Sequence, residues 1–326
     1  MGRWSDAAQS LGLVLEREGV WGGALERARV RVEPGGRVLV LARHPEVAVR
    51  GLRIRPLGLY HALFGQGLSD GSSLGLHFHI DAPLRRRVGR LLQSQDVRRA
   101  LWDLAPFKRA LQVDEGEVRL LAGPLTRDPR CDPQALIVAV AWLAQVLSEG
   151  FAVGWRAVAR ERGLTLSFTD GDALAPVLRG VIDGVTLQVR VTERFSSDTR
   201  LVTVIRGELD HPMPAGLHVV REGTGRGGSP WRVTLHDPVL RSLVDVYASD
   251  PDETRALLSH EGLHGPLLEV VHGHPGSQVT HEAVVLVYGG VDGASMGERI
   301  DGVVRLVKVL REAARALQRP DTLEVG

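Results

Sequence analysis

The sequence predicts an α+β protein of two tandem, topologically similar units, each a mainly antiparallel sheet covered by helices. Three observations carry that expectation. The chain has 326 residues, about two domains by length. The string Leu84–Trp102, LRRRVGRLLQSQDVRRALW, returns without a gap as Leu240–Leu258, LRSLVDVYASDPDETRALL, and from Asp81–Trp102 against Asp237–Leu258 eight of 22 positions are identical. The elements flanking the two strings also recur in one order, the mark of an internal repeat. The units are expected at 1–150 and 151–326.

In the first unit, Trp4 to Gly12 has helical pattern. Alternating apolar and polar residues predict strands at Leu13–Glu16, Ala28–Val32, Val38–Ala42, Gly51–Arg55, Leu74–Ile80 and Val118–Ala122. Turn chemistry falls at Pro34-Gly35-Gly36 and in the Gly65–Ser73 loop. Helix is expected from the Leu84 string to about Leu111. Asp132-Pro133, an N-cap with proline at N1, opens an apolar helix to about Leu147, and Gly150 stops it.

The second unit begins with helix at Trp155–Gly163 and a short strand at Leu164–Leu166. Strands follow at Val177–Ile182, Val185–Val191, Leu201–Arg206, Gly216–Arg221, Trp231–His236 and Ala283–Tyr288. Helix resumes from Asp252. A last amphipathic helix spans Glu298–Leu317, with Ile300, Val303, Val307, Leu310, Ala314 and Leu317 on its apolar face.

The totals restrict the function classes. Hydrophobic residues make 44% and charged residues 24%, proportions of a globular protein rather than a disordered one. Net charge is +1, which argues against a general polyanion binder but leaves local patches open. Cys131 is the single cysteine, so no intrachain disulfide forms, as suits a reducing cytoplasm. The N-terminus lacks the basic and apolar regions of a signal peptide. The longest apolar run, Ala135–Ala144, falls short of the roughly 20 residues a bilayer needs. A cytoplasmic protein with no transmembrane segment is expected.

Three motifs resemble chemistry. His260-Glu261-Gly262-Leu263-His264 matches H-E-x-x-H, which on a helix lets two imidazoles hold zinc while the glutamate activates water. Glu269, His272, His274, His281 and Glu282 lie close enough in sequence to offer a third ligand. Against this, Gly262, Gly265 and Pro266 interrupt the helix, and Ser259 reads as an N-cap that places His260 and Glu261 in a first turn. The matching stretch Leu104–Lys108 carries no ligands. Gly293-Ala294-Ser295-Met296-Gly297 matches G-x-S-x-G between a strand and a helix, the setting of an α/β-hydrolase nucleophile elbow. No histidine follows it in the chain, however, as that fold requires. Gly223–Gly228 is glycine-rich but leads into a strand pattern, whereas a phosphate cradle leads into a helix.

The arginines of the first string are more informative. Residues 85–109 hold eight basic and two acidic side chains, a net of +6, whereas residues 241–265 hold two basic and five acidic, a net of −3. Solvated faces that drifted apart, halves that meet through opposite charge, and a basic face for an anionic partner all fit this pattern. No convergent acid, base, nucleophile or cofactor cradle emerges. The sequence therefore predicts a non-enzymatic interaction or scaffold protein, a pseudo-dimer within one chain, with a protein partner and no cofactor. One alternative is a zinc-dependent hydrolase using zinc held by His260 and His264 with Glu261. The other is a binder of nucleic acid or anionic lipid through Arg85, Arg86, Arg87, Arg90, Arg98 and Arg99.

Overall fold

Strict alternation of small β-branched and charged residues builds the sheet of the first unit. In Ala28–Glu33 (β3), Ala28, Val30 and Val32 are buried while Arg29 is exposed. Leu39–Arg43 (β4) and Glu117–Leu121 (β8) alternate in the same way. Val14–Arg17 (β1), Val20–Leu25 (β2), Arg53–Pro56 (β5), Phe78–Asp81 (β6) and Leu111–Asp114 (β7) complete an eight-stranded sheet in the order β1-β2-β3-β4-β8-β7-β5-β6. The computed structural model describes residues 2–17, 19–33, 38–43, 49, 51–57, 77–82, 85–114, 117–121, 131–169, 174–194, 200–225, 231–291, 293 and 295–318. The expected turns at 34–36 and 65–73 lie outside them. The chain divides into two compact units, residues 1–153 with 172–174 and residues 154–171 with 175–326.

The second unit repeats the plan. Its strands are Thr165–Phe168 (β9), Pro176–Ile182 (β10), Val185–Arg194 (β11), Arg200–Glu208 (β12), His218–Arg221 (β13), Val244–Tyr247 (β14), Gln278–Thr280 (β15) and Ala283–Gly289 (β16). Their order is β9-β10-β11-β12-β16-β15-β13-β14, the order of the first unit strand for strand. Every described pairing is antiparallel. The α+β architecture with two similar sheet units is thus the observed one.

The helices take matching places. Arg3–Ser10 (α1), Arg85–Leu91 (α2), Gln95–Leu104 (α3) and Pro133–Glu149 (α4) belong to the first unit. Ala152–Arg162 (α5), Pro238–Leu243 (α6), Pro251–Leu258 (α7), His264–Leu267 (α8) and Met296–Gln318 (α9) follow. As expected, α4 is capped by Asp132, whose carboxylate accepts from Gln134 N–H, and ends at Gly150 with φ 58°. It is apolar on almost every side because it lies against β3, β4 and β8 and is flanked by α1 and α3. In the second unit α9 covers β12, β16 and β11. A Cβ on Gly207 would sit 2.8 Å from Val303 Cγ1, so a glycine there lets helix and sheet approach. The apolar face of α9 is as expected except for Leu317, which is exposed.

A two-residue hairpin opens each unit's larger sheet half. Leu25 pairs with Ala28 across Glu26-Arg27, and Ile182 pairs with Val185 across Asp183-Gly184. Glu26 and Asp183 both adopt positive φ, 51° and 50°, as such tight hairpins need. The covering helix reaches this turn through an ion pair in each unit, with inverted polarity. Buried Glu149 of α4 meets Arg27 at 3.0 Å, and Lys308 of α9 meets Asp183 at 3.3 Å.

The structure departs from the sequence expectation at several places, and β15 is among the strands not expected. First, β2 reads VWGGAL, and its two glycines hid a strand whose Gly22 lies under the Glu16 side chain. Second, helix was expected through Leu111, but α3 tightens into a 3₁₀ turn at Ala105–Ala110 and β7 begins at once. Third, Trp231–His236 is not a strand of its own. It makes one isolated bridge, Arg232 to Tyr247, at the outer side of β14. The repeated string accordingly splits. Its second part is helix in both units, and α3 and α7 begin at the same offset that separates Leu84 from Leu240. Its first part is helix α2 in unit 1, but in unit 2 helix α6 stops at Leu243 and the chain turns into strand β14.

Candidate functional site

The helix that H-E-x-x-H requires is broken, and Ser259 is not its N-cap. Ser259 closes α7 as its C-cap, with its Oγ donating to Ala256 O at 2.8 Å. Glu261–Leu263 is a 3₁₀ turn, and His264 then opens the short α8, where Pro266 is tolerated because a first turn needs no donor. Gly262 has the His260 ring and Val309 beside it. His264 is engaged elsewhere, since its Nε2–H donates to Leu258 O at 3.1 Å and its Nδ1 stands 3.6 Å from Asp237 Oδ2. The other histidines of the stretch disperse. His272 ends a π turn, Leu268–His272, while His281 is exposed beside Glu282. Among the described residues no group of three or more His, Cys, Asp or Glu side chains gathers where it could hold a metal ion.

What His264 does help to form is a cavity. Its volume is about 190 Å³, and it opens where the segment entering α6, the end of α7 and the start of α8 converge. Leu235, Leu240 and Leu258 make its apolar wall, with Asp237, Arg255 and His264 at its polar side. Asp237 is held by local structure, because its Oδ1 caps α6 by accepting from Val239 N–H at 2.7 Å and Leu240 N–H at 2.9 Å. The Leu240 N–H bond, foremost, holds the Asp237 carboxyl below its ordinary range, helped by the Val239 bond and the nearby His264 against a smaller opposing effect of burial. At 3.6 Å the Asp237–His264 contact is beyond hydrogen-bond reach. Arg255 is spent on Asp252 and on Thr234 O.

The arginine face divides under inspection. Of Arg85 only the backbone is described. Arg86, Arg87 and Arg90 on α2 all have interaction partners, and Arg87 and Arg90 are half-buried. Arg98 and Arg99 on α3 are exposed, and so is Trp102, one turn further along the same face, at 38%. The opposite face of α3, formed by Val97, Ala100, Leu101 and Leu104, is buried. The Trp102 ring meets His77 edge-on at 5.2 Å, and Lys108 Nζ donates to His77 Nδ1 at 3.0 Å. Trp102 and His77 went unnoticed in the sequence. The available signal was an indole at an otherwise polar position of an amphipathic helix.

The serine motif is held by an arginine. Ser295 Oγ accepts from Arg299 Nη1 at 2.7 Å, and the same guanidinium lies over the Tyr288 ring at 3.9 Å. Gly293 passes so close to the Gly154 backbone that a Cβ would stand 2.7 Å from its carbonyl oxygen. Ala294 lies outside the described residues. In the glycine-rich loop, Gly223 N–H donates to Asp245 Oδ2 at 3.0 Å, and residues 226–228 lie outside the described residues.

No family model matches this sequence. No curated protein matches it by sequence either. The crystal structure of the mycobacterial trehalose monomycolate transport factor A, TtfA, is similar over 51% of this chain and 95% of that one, at 14% identity and a TM-score of 0.33. That likeness carries no activity or partner to this chain. No single helix among the described residues is long and apolar enough to cross a membrane.

Proposed function

We propose that this protein is a non-enzymatic interaction protein, two copies of one ancestral unit in a single chain, which docks a protein partner on the α3 face of its first unit. The observation that carries the reading is Trp102, an exposed indole one turn from exposed Arg98 and Arg99. Tryptophan and arginine are enriched among the side chains that dominate binding energy at protein interfaces, the indole for its large rigid area and the guanidinium for its fork of charged donors. At the matched position of α7 stands Leu258, buried at 2%. The basic face therefore narrows to Arg98 and Arg99, with exposed Arg109 just beyond the 3₁₀ turn. Shared strand order is the support for duplication, and acidic partner chemistry follows from the sign of the face.

Isolation of the full chain from its own cells, wild type against the Arg98→Glu/Arg99→Glu double variant, tests this. The partner is expected to fall by about tenfold or more in the variant, while Arg29→Glu on the open sheet face leaves recovery unchanged. Equal recovery from both would refute the α3 face. Salt titrations against duplex DNA and anionic vesicles separate the alternatives, and arginine-dependent binding there would replace the protein partner with an anionic one.

A further inference from the structure

The two units treat one position differently. Trp102 and Leu258 each stand at the same offset in the second helix of the repeated string, near its C-terminal end. In the first unit the half-exposed indole lies edge-on against His77. In the second unit the buried Leu258 instead lines the cavity of about 190 Å³ described above. We propose that this cavity binds one planar aromatic ring system bearing an N–H donor, indole in size, as a site distinct from the α3 face and independent of it.

Shape, polarity and charge each support that ligand. A leucine-lined cavity of about 150 Å³ already accepts benzene, so this one has room for a ring and some of a second. Leu235, Leu240 and Leu258 present apolar atoms to the ring faces. One acceptor is left over at the polar side. Asp237 Oδ1 is used by the two backbone N–H groups of α6, but among the described residues Oδ2 meets only His264 Nδ1, at 3.6 Å. A ring N–H can donate to that oxygen in a charge-assisted bond. Arg255 at the cavity is committed to Asp252 and Thr234 O, so an anionic ring would meet the Asp237 carboxylate with only the imidazoles of His236 and His264 beside it and no fixed positive charge to offset it. Neutral or cationic rings are therefore preferred over carboxylated ones.

Ligand-observed NMR on the full chain tests the assignment with indole, benzofuran, indole-3-acetate and N-acetyltryptophan amide. Indole is expected to bind with a millimolar or better Kd, benzofuran about tenfold more weakly for lack of the N–H, and indole-3-acetate more weakly than indole. Asp237→Asn keeps the capping oxygen but replaces the free acceptor with a donor, so it should erase the preference for indole over benzofuran. Leu258→Trp adds bulk at the cavity wall, and should abolish binding with the fold intact. Should that variant fail to fold, Leu258→Phe serves as the milder filling. Tighter binding of N-acetyltryptophan amide than of indole would mark a partner's tryptophan as the natural source of the ring, and the reverse a free small molecule. No transfer to indole at millimolar concentration, or undiminished binding in the filled variant, overturns the site.

Discussion

Single side chains decide how closely the layers of each unit meet. Gly207 is the clearest case, because any side chain there drives into Val303 and Val307 on α9. Gly207→Ala is expected to cost about 1–3 kcal/mol, as overpacking does. An unchanged denaturant midpoint would contradict the close approach. Arg311 is a second case, since it is buried in α9 and donates to Gly184 O at 3.0 Å and Glu208 O at 3.1 Å while meeting Asp210 at 2.6 Å. Its replacement by methionine keeps the stem and strands two carbonyls, so a loss of about 1–3 kcal/mol should appear in the same measurement. His274 adds a pH dependence. Partial burial, then Arg299, holds its pKa below the ordinary histidine value against the opposing pull of Glu269. The unfolded chain therefore takes up this proton first as pH falls. Its stabilising contribution is complete above about pH 6.5 and is lost as pH falls from there toward the depressed folded value. His274→Gln should flatten stability against pH over that window, and identical slopes would rule the histidine out.

At the scale of elements, the two copies of the repeated string show what local chemistry can and cannot fix. Helix α7 is capped by Asp250, which accepts from Asp252 and Glu253 N–H, both at 3.0 Å. The matched Ser94 before α3 makes no side-chain cap bond. Asp250→Ala should then cost about 1 kcal/mol, whereas Ser94→Ala should cost less. Equal losses in thermal unfolding would show the caps to be equivalent. The helices in this comparison were readable from periodicity and caps. The strand β14 was not, because VDVY is four residues long and sits inside a string whose counterpart is helical. Its four side chains are all buried, so burial within the sheet outweighs the pattern of the copy.

For the molecule as a whole, strand order shows the likeness of the two sheets more fully than the eight matched residues do. Two eight-stranded sheets share one order, and each is bridged at its hairpin by a helix ion pair of reversed sign. If each unit holds its own core, as its internal packing suggests, a fragment of residues 154–326 should unfold cooperatively. A fragment without a cooperative transition would argue that the units depend on one another.

The sequence by itself determined the α+β class, the repetition, most strands, and the capped apolar helix from Asp132 to Gly150. These follow from period, cap and turn chemistry, which act over a few residues and leave their marks in order along the chain. It also pointed to the arginines of the first string, without separating exposed Arg98 and Arg99 from the partnered Arg86, Arg87 and Arg90. Only the tertiary structure decided that Trp102 is exposed, that His264 stands beside Asp237, and that Leu258 lines a cavity. Each of those outcomes depends on segments distant in the chain packing side by side, and no local pattern records which neighbours a side chain will meet.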